Sequence, residues 1–151
     1  VDGASGTTVH LSNIYVTQIE IVETEFPCRI TKFELARGSG GDGKHRGGLA
    51  MRREYELLEP GLVIFRGDRA VRPPKGVAGG LPGSPSRFVL NPGTSREKEM
   101  PITTSVLMEA GETMLMEAAG GGGYGAPAER EESARADDLR QGYVEGKSDE
   151  R

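Results

Sequence analysis

The chain has no tryptophan, a single cysteine and only eight Phe or Tyr rings in 151 residues. With Cys28 alone no intrachain disulfide can form, and no Cys/His spacing suits zinc. His10 and His45 are the only histidines. A site built from His10 with Glu20 or Glu23 is one arrangement to weigh, against a plain hydrogen-bonded histidine. No G-x-S-x-G occurs, and one cysteine with two histidines does not specify a nucleophilic triad. No run approaches the roughly 18 apolar residues that a membrane span needs. There is no basic-then-apolar leader, and the start at Val1 rather than Met points to removal or trimming. These absences assign no catalytic residue, no metal ligand and no membrane contact to the chain, and a reducing, cytoplasmic home is the simplest expectation.

Apolar bulk is scarce too. Leu, Ile, Val and Phe number 31, near the composition at which disorder sets in, but a net charge of only -4 argues against it. The length suits one domain.

Glycine is what the chain has in excess: 23 residues, clustered at 38–48, 76–83 and 120–125. Such clusters permit tight turns and close backbone contacts at an entropic cost. A lean core with three glycine-rich tracts points to a module completed by a partner; a loop-rich monomer is the plainer alternative. Charge is uneven. Residues 29–98 hold 14 Lys/Arg against 7 Asp/Glu, and the remainder hold 5 against 16. A basic middle between acidic ends suits an anionic substrate or an acidic partner subunit. The acidic total and scattered aromatics speak against nucleic acid.

Strands are expected at Ile14–Glu23, Arg29–Leu35, Leu49–Leu58, Leu62–Phe65 and Arg87–Leu90. Glu59, Pro60 and Gly61 make a turn at hairpin distance between the third and fourth. Thr103–Glu109 and Glu112–Ala118 read as a further hairpin around Ala110 and Gly111. Pro127 suits a helix first turn, Glu129, Glu131 and Glu132 its positive end, and Gly142 a stop. That helix has few apolar residues, so it is expected to be exposed or docked on a partner. The expected fold is mostly β, an antiparallel sheet in barrel-like or sandwich form. It has long Gly/Pro-rich loops, a β-rich module over 1–126 and a C-terminal helix with a frayed tail over 127–151.

Gly38 through Lys44 matches the first part of a phosphate-binding P-loop. The motif then needs Ser or Thr and a helix start, whereas His45, Arg46, Gly47 and Gly48 follow. Backbone amides with Lys44, His45 and Arg46 meeting an anion is the functional reading, against a structural turn with solvated charges. Arg66, Gly67 and Asp68 mimic an integrin tripeptide, but with Arg69 they read better as an ion-paired turn. Gly120–Gly125 suits close approach to a ligand or partner, or a hairpin exit.

Four segments together resemble the C-terminal end of hydantoinase B/oxoprolinase proteins. They are His10–Asn13 with Glu20 and Glu23–Pro27; Gly40–Leu49; Arg66–Arg69 with Pro73, Pro74, Gly79 and Gly80; and Gly120–Gly125 with Pro127, Glu129 and Arg130. The resemblance runs over roughly residues 5–145. It departs from the family pattern at Val16 and Gln18, and the several hundred residues that precede this region in a B-type chain are not in the sequence. It implies ATP-dependent chemistry on amide or carbonyl substrates, with ATP and a divalent metal in the complex and no cofactor bound by this chain. Partners would be larger hydantoinase A-like and B-like subunits. His10, Asn13, Lys44, His45, Arg46, Arg66, Asp68, Arg69, Gly122 and Tyr124 are the residues taken to face substrate or partner. The expected role is a small accessory subunit of an acetophenone carboxylase-like complex, with a cyclic amide hydrolase subunit second. Two rivals are a complete small hydrolase using His10 or His45, and a free-standing anion-binding module using Lys44, Arg46, Arg69 and Arg72.

Overall fold

A computed structural model describes residues 1–7 and 17–144. Among the described residues seven strands span Cys28–Leu35 (β1), Met51–Leu57 (β2), Gly61–Arg66 (β3), Arg87–Leu90 (β4), Lys98–Met100 (β5), Thr103–Met108 (β6) and Thr113–Glu117 (β7). The helices are Ile19–Glu25 (α1) and Glu132–Gln141 (α2), the latter led by a 3-10 turn at Pro127–Glu129. All strand pairs are antiparallel. They form a five-stranded sheet in the order β1-β2-β7-β4-β5 and a two-stranded ribbon of β3 and β6. The mostly β, antiparallel fold with a C-terminal helix is as expected, and the described strands close no barrel.

Period-2 alternation gives the sheet two unlike faces. Arg29, Lys32 and Arg52 meet Glu56, Glu54, Glu34 and Glu117 across strands on one face, as ion pairs of 2.9–3.6 Å. Part of the other face meets the ribbon. There Leu57, Phe65, Phe88, Leu90 and Met108 form the buried core, and the Phe65 and Phe88 rings lie 4.6 Å apart. Aromatic pairs at that separation add about 0.5–1.5 kcal/mol beyond their area.

Three expectations are corrected. The strand expected at Ile14–Glu23 is a helix where it is described, Ile19–Glu25; residues 14–16 lie outside the described residues. Its β-branched residues favour a strand, but tertiary contacts override propensity. Ile19 and Val22, three apart, are the half-buried pair, and the Glu23 carboxylate accepts the Ile30 amide at 2.7 Å. Neither expected hairpin forms. Strand β3 pairs with β6, not β2, and β7 pairs with β2 and β4, not β6. Both turns are corners at which the chain changes sheet, so that Leu57 and Met108 on either side of them enter the same interlayer core. Strand β5 was not anticipated; Met100 is its one apolar residue, too little for a pattern.

Candidate functional site

The three glycine-rich tracts complete one another. The Gly41 amide donates to the Gly121 carbonyl at 2.8 Å, and the Gly121 amide to Gly48 at 2.8 Å. On the other side Gly123 donates to Leu81 at 2.9 Å and Val77 to Gly123 at 2.9 Å. The tract 120–125 therefore lies between the other two, joined to them by backbone hydrogen bonds. Side chains are excluded here for want of room. A Cβ at Gly120 would strike the Ser39 carbonyl oxygen, and one at Gly47 would strike that of Gly121.

At the end of this stack His45 and Tyr124 exchange both backbone hydrogen bonds, each 2.9 Å. Their rings stack with centroids 6.3 Å apart and planes 24° from parallel. Beside them opens a cleft of about 980 Å³, lined among others by His45, Asp68, Arg69, Gly120, Gly122 and Tyr124. Arg69 reaches it from a tight turn with φ of 64°, an uncommon backbone state for a residue other than glycine. Ser86 holds that turn. Its hydroxyl donates to the Asp68 carbonyl and its amide to the Arg69 carbonyl at 3.3 Å. Asp68 and Arg69 also pair side chain to side chain at 3.8 Å, both exposed, which contributes at most about 1 kcal/mol.

Behind the stack, the first residues, the glycine loop and α2 are locked by charge. Arg46 donates from Nε to Asp138 at 3.1 Å, and Arg130 donates to the same carboxylate at 2.6 Å. Arg130 also forks onto both oxygens of Asp2 at 2.7 and 2.8 Å, and Asp2 accepts the Arg46 amide at 2.8 Å. The Tyr143 ring covers the Arg46 guanidinium at 5.0 Å. Hydrogen bonds from Arg130 hold the Asp2 carboxyl down at about 2, against a smaller upward push from burial. The same contact raises Arg130 above its ordinary value. The helix expected to be exposed or docked on a partner is largely exposed, and it is anchored on its own chain through Asp138, which is 6% exposed. Part of the acidic tail meets part of the basic middle internally, as Lys44 with Glu129 also shows at 3.4 Å.

His45, Asp68, Arg69, Gly122 and Tyr124 come together at the cleft. Arg46 contributes to its wall, but the side chain is 6% exposed and committed to Asp138. Lys44 turns to Glu129, and Arg66 stands exposed at the end of β3. His10 and Asn13 lie outside the described residues. The P-loop reading fails on geometry, because a β-bridge at His45 follows Lys44 where a helix would have to start. Sequence reasoning missed Asp2, Asp138 and Arg130 as one network; the opposite charges of the middle and the ends were its visible trace. Among the described residues no group of three or more His, Cys, Asp or Glu is placed to hold a metal ion. No described helix is long and apolar enough to cross a membrane.

Residues 1–127 match hydantoinase B/oxoprolinase. The chain belongs to the hydantoinase B/oxoprolinase family. It is 34% identical over 125 residues to 5-oxoprolinase 1 of Arabidopsis thaliana, covering 83% of this chain and 10% of that protein. It is 31% identical over 131 residues to caprolactamase subunit beta of Pseudomonas jessenii, covering 83% and 22%. The crystal structure of the ATP-dependent caprolactamase from that organism superposes with a TM-score of 0.75 at 28% identity, over 85% of this chain and 23% of that one. A nucleotide-free acetone carboxylase shares the fold, with a TM-score of 0.71 at 24% identity, over 84% and 21%. This hydantoinase B/oxoprolinase module therefore spans between a tenth and a quarter of the length of these relatives.

Proposed function

We propose that this chain is an accessory, non-catalytic part of an ATP-dependent enzyme complex that opens a cyclic amide. Larger hydantoinase A-like and B-like subunits supply the ATP site, the divalent metal and the reacting groups. The observation that carries this reading is the Asp2–Arg130–Asp138–Arg46 network. It commits Arg46 of the glycine loop to holding the module together, and leaves His45, Tyr124 and the exposed Asp68–Arg69 pair as titratable side chains at a cleft otherwise lined mostly by glycine, alanine and apolar residues. The lactam is supported by the names of two relatives, a caprolactamase and a 5-oxoprolinase. Ketone carboxylation, with the chain as a small subunit of an acetophenone carboxylase-like complex, is the second reading. The fold shared with acetone carboxylase favours it. The unpaired Cys28 suits a reducing cytoplasm.

Purification of the chain from its own cells tests this. Larger A-like and B-like subunits are expected to accompany it, and the complex is expected to hydrolyse a lactam only with ATP. Bicarbonate-dependent consumption of acetophenone would select the second reading. Isolation without partners would overturn both.

A further inference from the structure

The β3–β6 ribbon carries apolar side chains on both faces. Val63, Phe65, Val106 and Met108 point into the core, as an inner face must. Leu62, Ile64 and Leu107 occupy the outer face at 60%, 55% and 77% exposure. Register brings them together: Leu62 stands directly opposite Leu107, and Ile64 is opposite Ser105. Cross-strand partners on one face lie about 4.5–5.5 Å apart at Cβ, so the three form one patch. Only Arg66, paired with Thr103 at the far end, brings charge to that face.

The five-stranded sheet offers a contrast. One of its faces carries Arg29–Glu56, Lys32–Glu54 and Arg52–Glu117 pairs, in which the most exposed members, Arg29 and Lys32, are charged. Alternation of apolar and polar residues marks a sheet with one wet side, and apolar residues on both sides mark a strand covered twice. By that criterion the ribbon is built for cover on both faces. A two-stranded ribbon among the described strands also leaves the outer backbone edges of β3 and β6 unpaired, which favours pairing with another chain.

Relatives carry this module within chains four to ten times longer, so most of a B-type polypeptide lies outside it. We infer that the outer face of the β3–β6 ribbon, centred on Leu62, Ile64 and Leu107, is the surface on which the module docks against the remainder of a B-type polypeptide. The contact is apolar and nearly free of charge, so it is insensitive to salt. This rests on the proposed role as part of a larger complex.

The test replaces Leu107 with a photo-cross-linking amino acid in the chain expressed in its own cells, followed by mass spectrometry of the purified complex. The expected product joins Leu107's position to a peptide of a hydantoinase B-like sequence. Leu62→Glu with Leu107→Glu is expected to lower recovery of that polypeptide at least tenfold, while Leu139→Glu, at an exposed leucine on α2, leaves it unchanged. Circular dichroism melting of each variant checks that the fold survives. Cross-links to a second copy of this chain, to an A-like subunit or to nothing, while a B-like polypeptide still co-purifies, would overturn the docking face alone. Absence of any B-like polypeptide with the unaltered chain would instead overturn the role on which the face depends.

Discussion

Arg46 and Asp138 lie 92 residues apart in sequence yet form a 3.1 Å ion pair with both side chains more than nine-tenths buried. The pair joins the glycine-rich loop to α2, a helix too polar to dock by hydrophobic contact. Arg130 completes the arrangement from the other side of the same carboxylate.

Removing that carboxylate is the severest single change expected. Asp138→Ala leaves Arg46 buried without its partner and Arg130 with Asp2 alone. Breaking a buried pair in this way costs about 3–5 kcal/mol. Urea unfolding measures it, and a loss below about 1 kcal/mol would place the stability of the module elsewhere.

The same glycine-to-alanine change is expected to have opposite results at two positions. Gly120→Ala drives a Cβ into the Ser39 carbonyl oxygen and costs about 1–3 kcal/mol or more, as overpacking does. At Gly61 a Cβ meets only the Leu57 side chain at 3.7 Å. There alanine is neutral or stabilises by up to about 1 kcal/mol, by restricting the unfolded chain. Paired denaturation curves separate the two.

Stability is expected to fall at low pH partly through Asp2. Its folded value of about 2 lies below the ordinary 3.8, so it contributes fully above pH 4 and loses that contribution as pH falls toward 2. Glu112 acts with the same sign. The Glu109 amide first, then Asn91 and Arg96, hold its carboxyl below the usual range. In Asp2→Asn the descent between pH 4 and pH 2 becomes shallower; an unchanged profile would remove Asp2 from the account.

Cys28 is expected to be a sluggish thiol. Burial first, and the nearby Glu23 charge second, push its ionisation up. At pH 8 iodoacetamide should modify it more slowly than free cysteine, and Glu23→Gln should shift the rate profile to lower pH. Reaction as fast as the free amino acid would contradict this.

Much of the fold was legible because its strands carry period-2 patterns between strong turns: β1, β2, β3 and β4 lie within a residue or two of where alternation places them. Pairing was not legible. Glu59–Gly61 and Ala110–Gly111 look like hairpin turns, and only the three-dimensional demand of burying Leu57 and Met108 in one core shows them to be corners. Helix α1 was hidden by β-branched residues, although Ile19 and Val22 at a spacing of three were its trace. At the candidate site the glycine tracts suit completion by a partner or plain loops equally, since no one-dimensional pattern tells that 120–125 fits between 38–48 and 76–83. Asp2 and Asp138 were invisible for a similar reason. Each looks like a solvated acid until Arg46 and Arg130 are seen facing it.

The central claim is that this module supports chemistry performed by larger subunits. ATP hydrolysis by the purified chain alone, assayed with 5-oxoproline, caprolactam and acetophenone each present in turn, tests it most directly. No turnover above buffer is predicted with any of them. ATP-dependent turnover by the lone chain, abolished by His45→Ala, would contradict it.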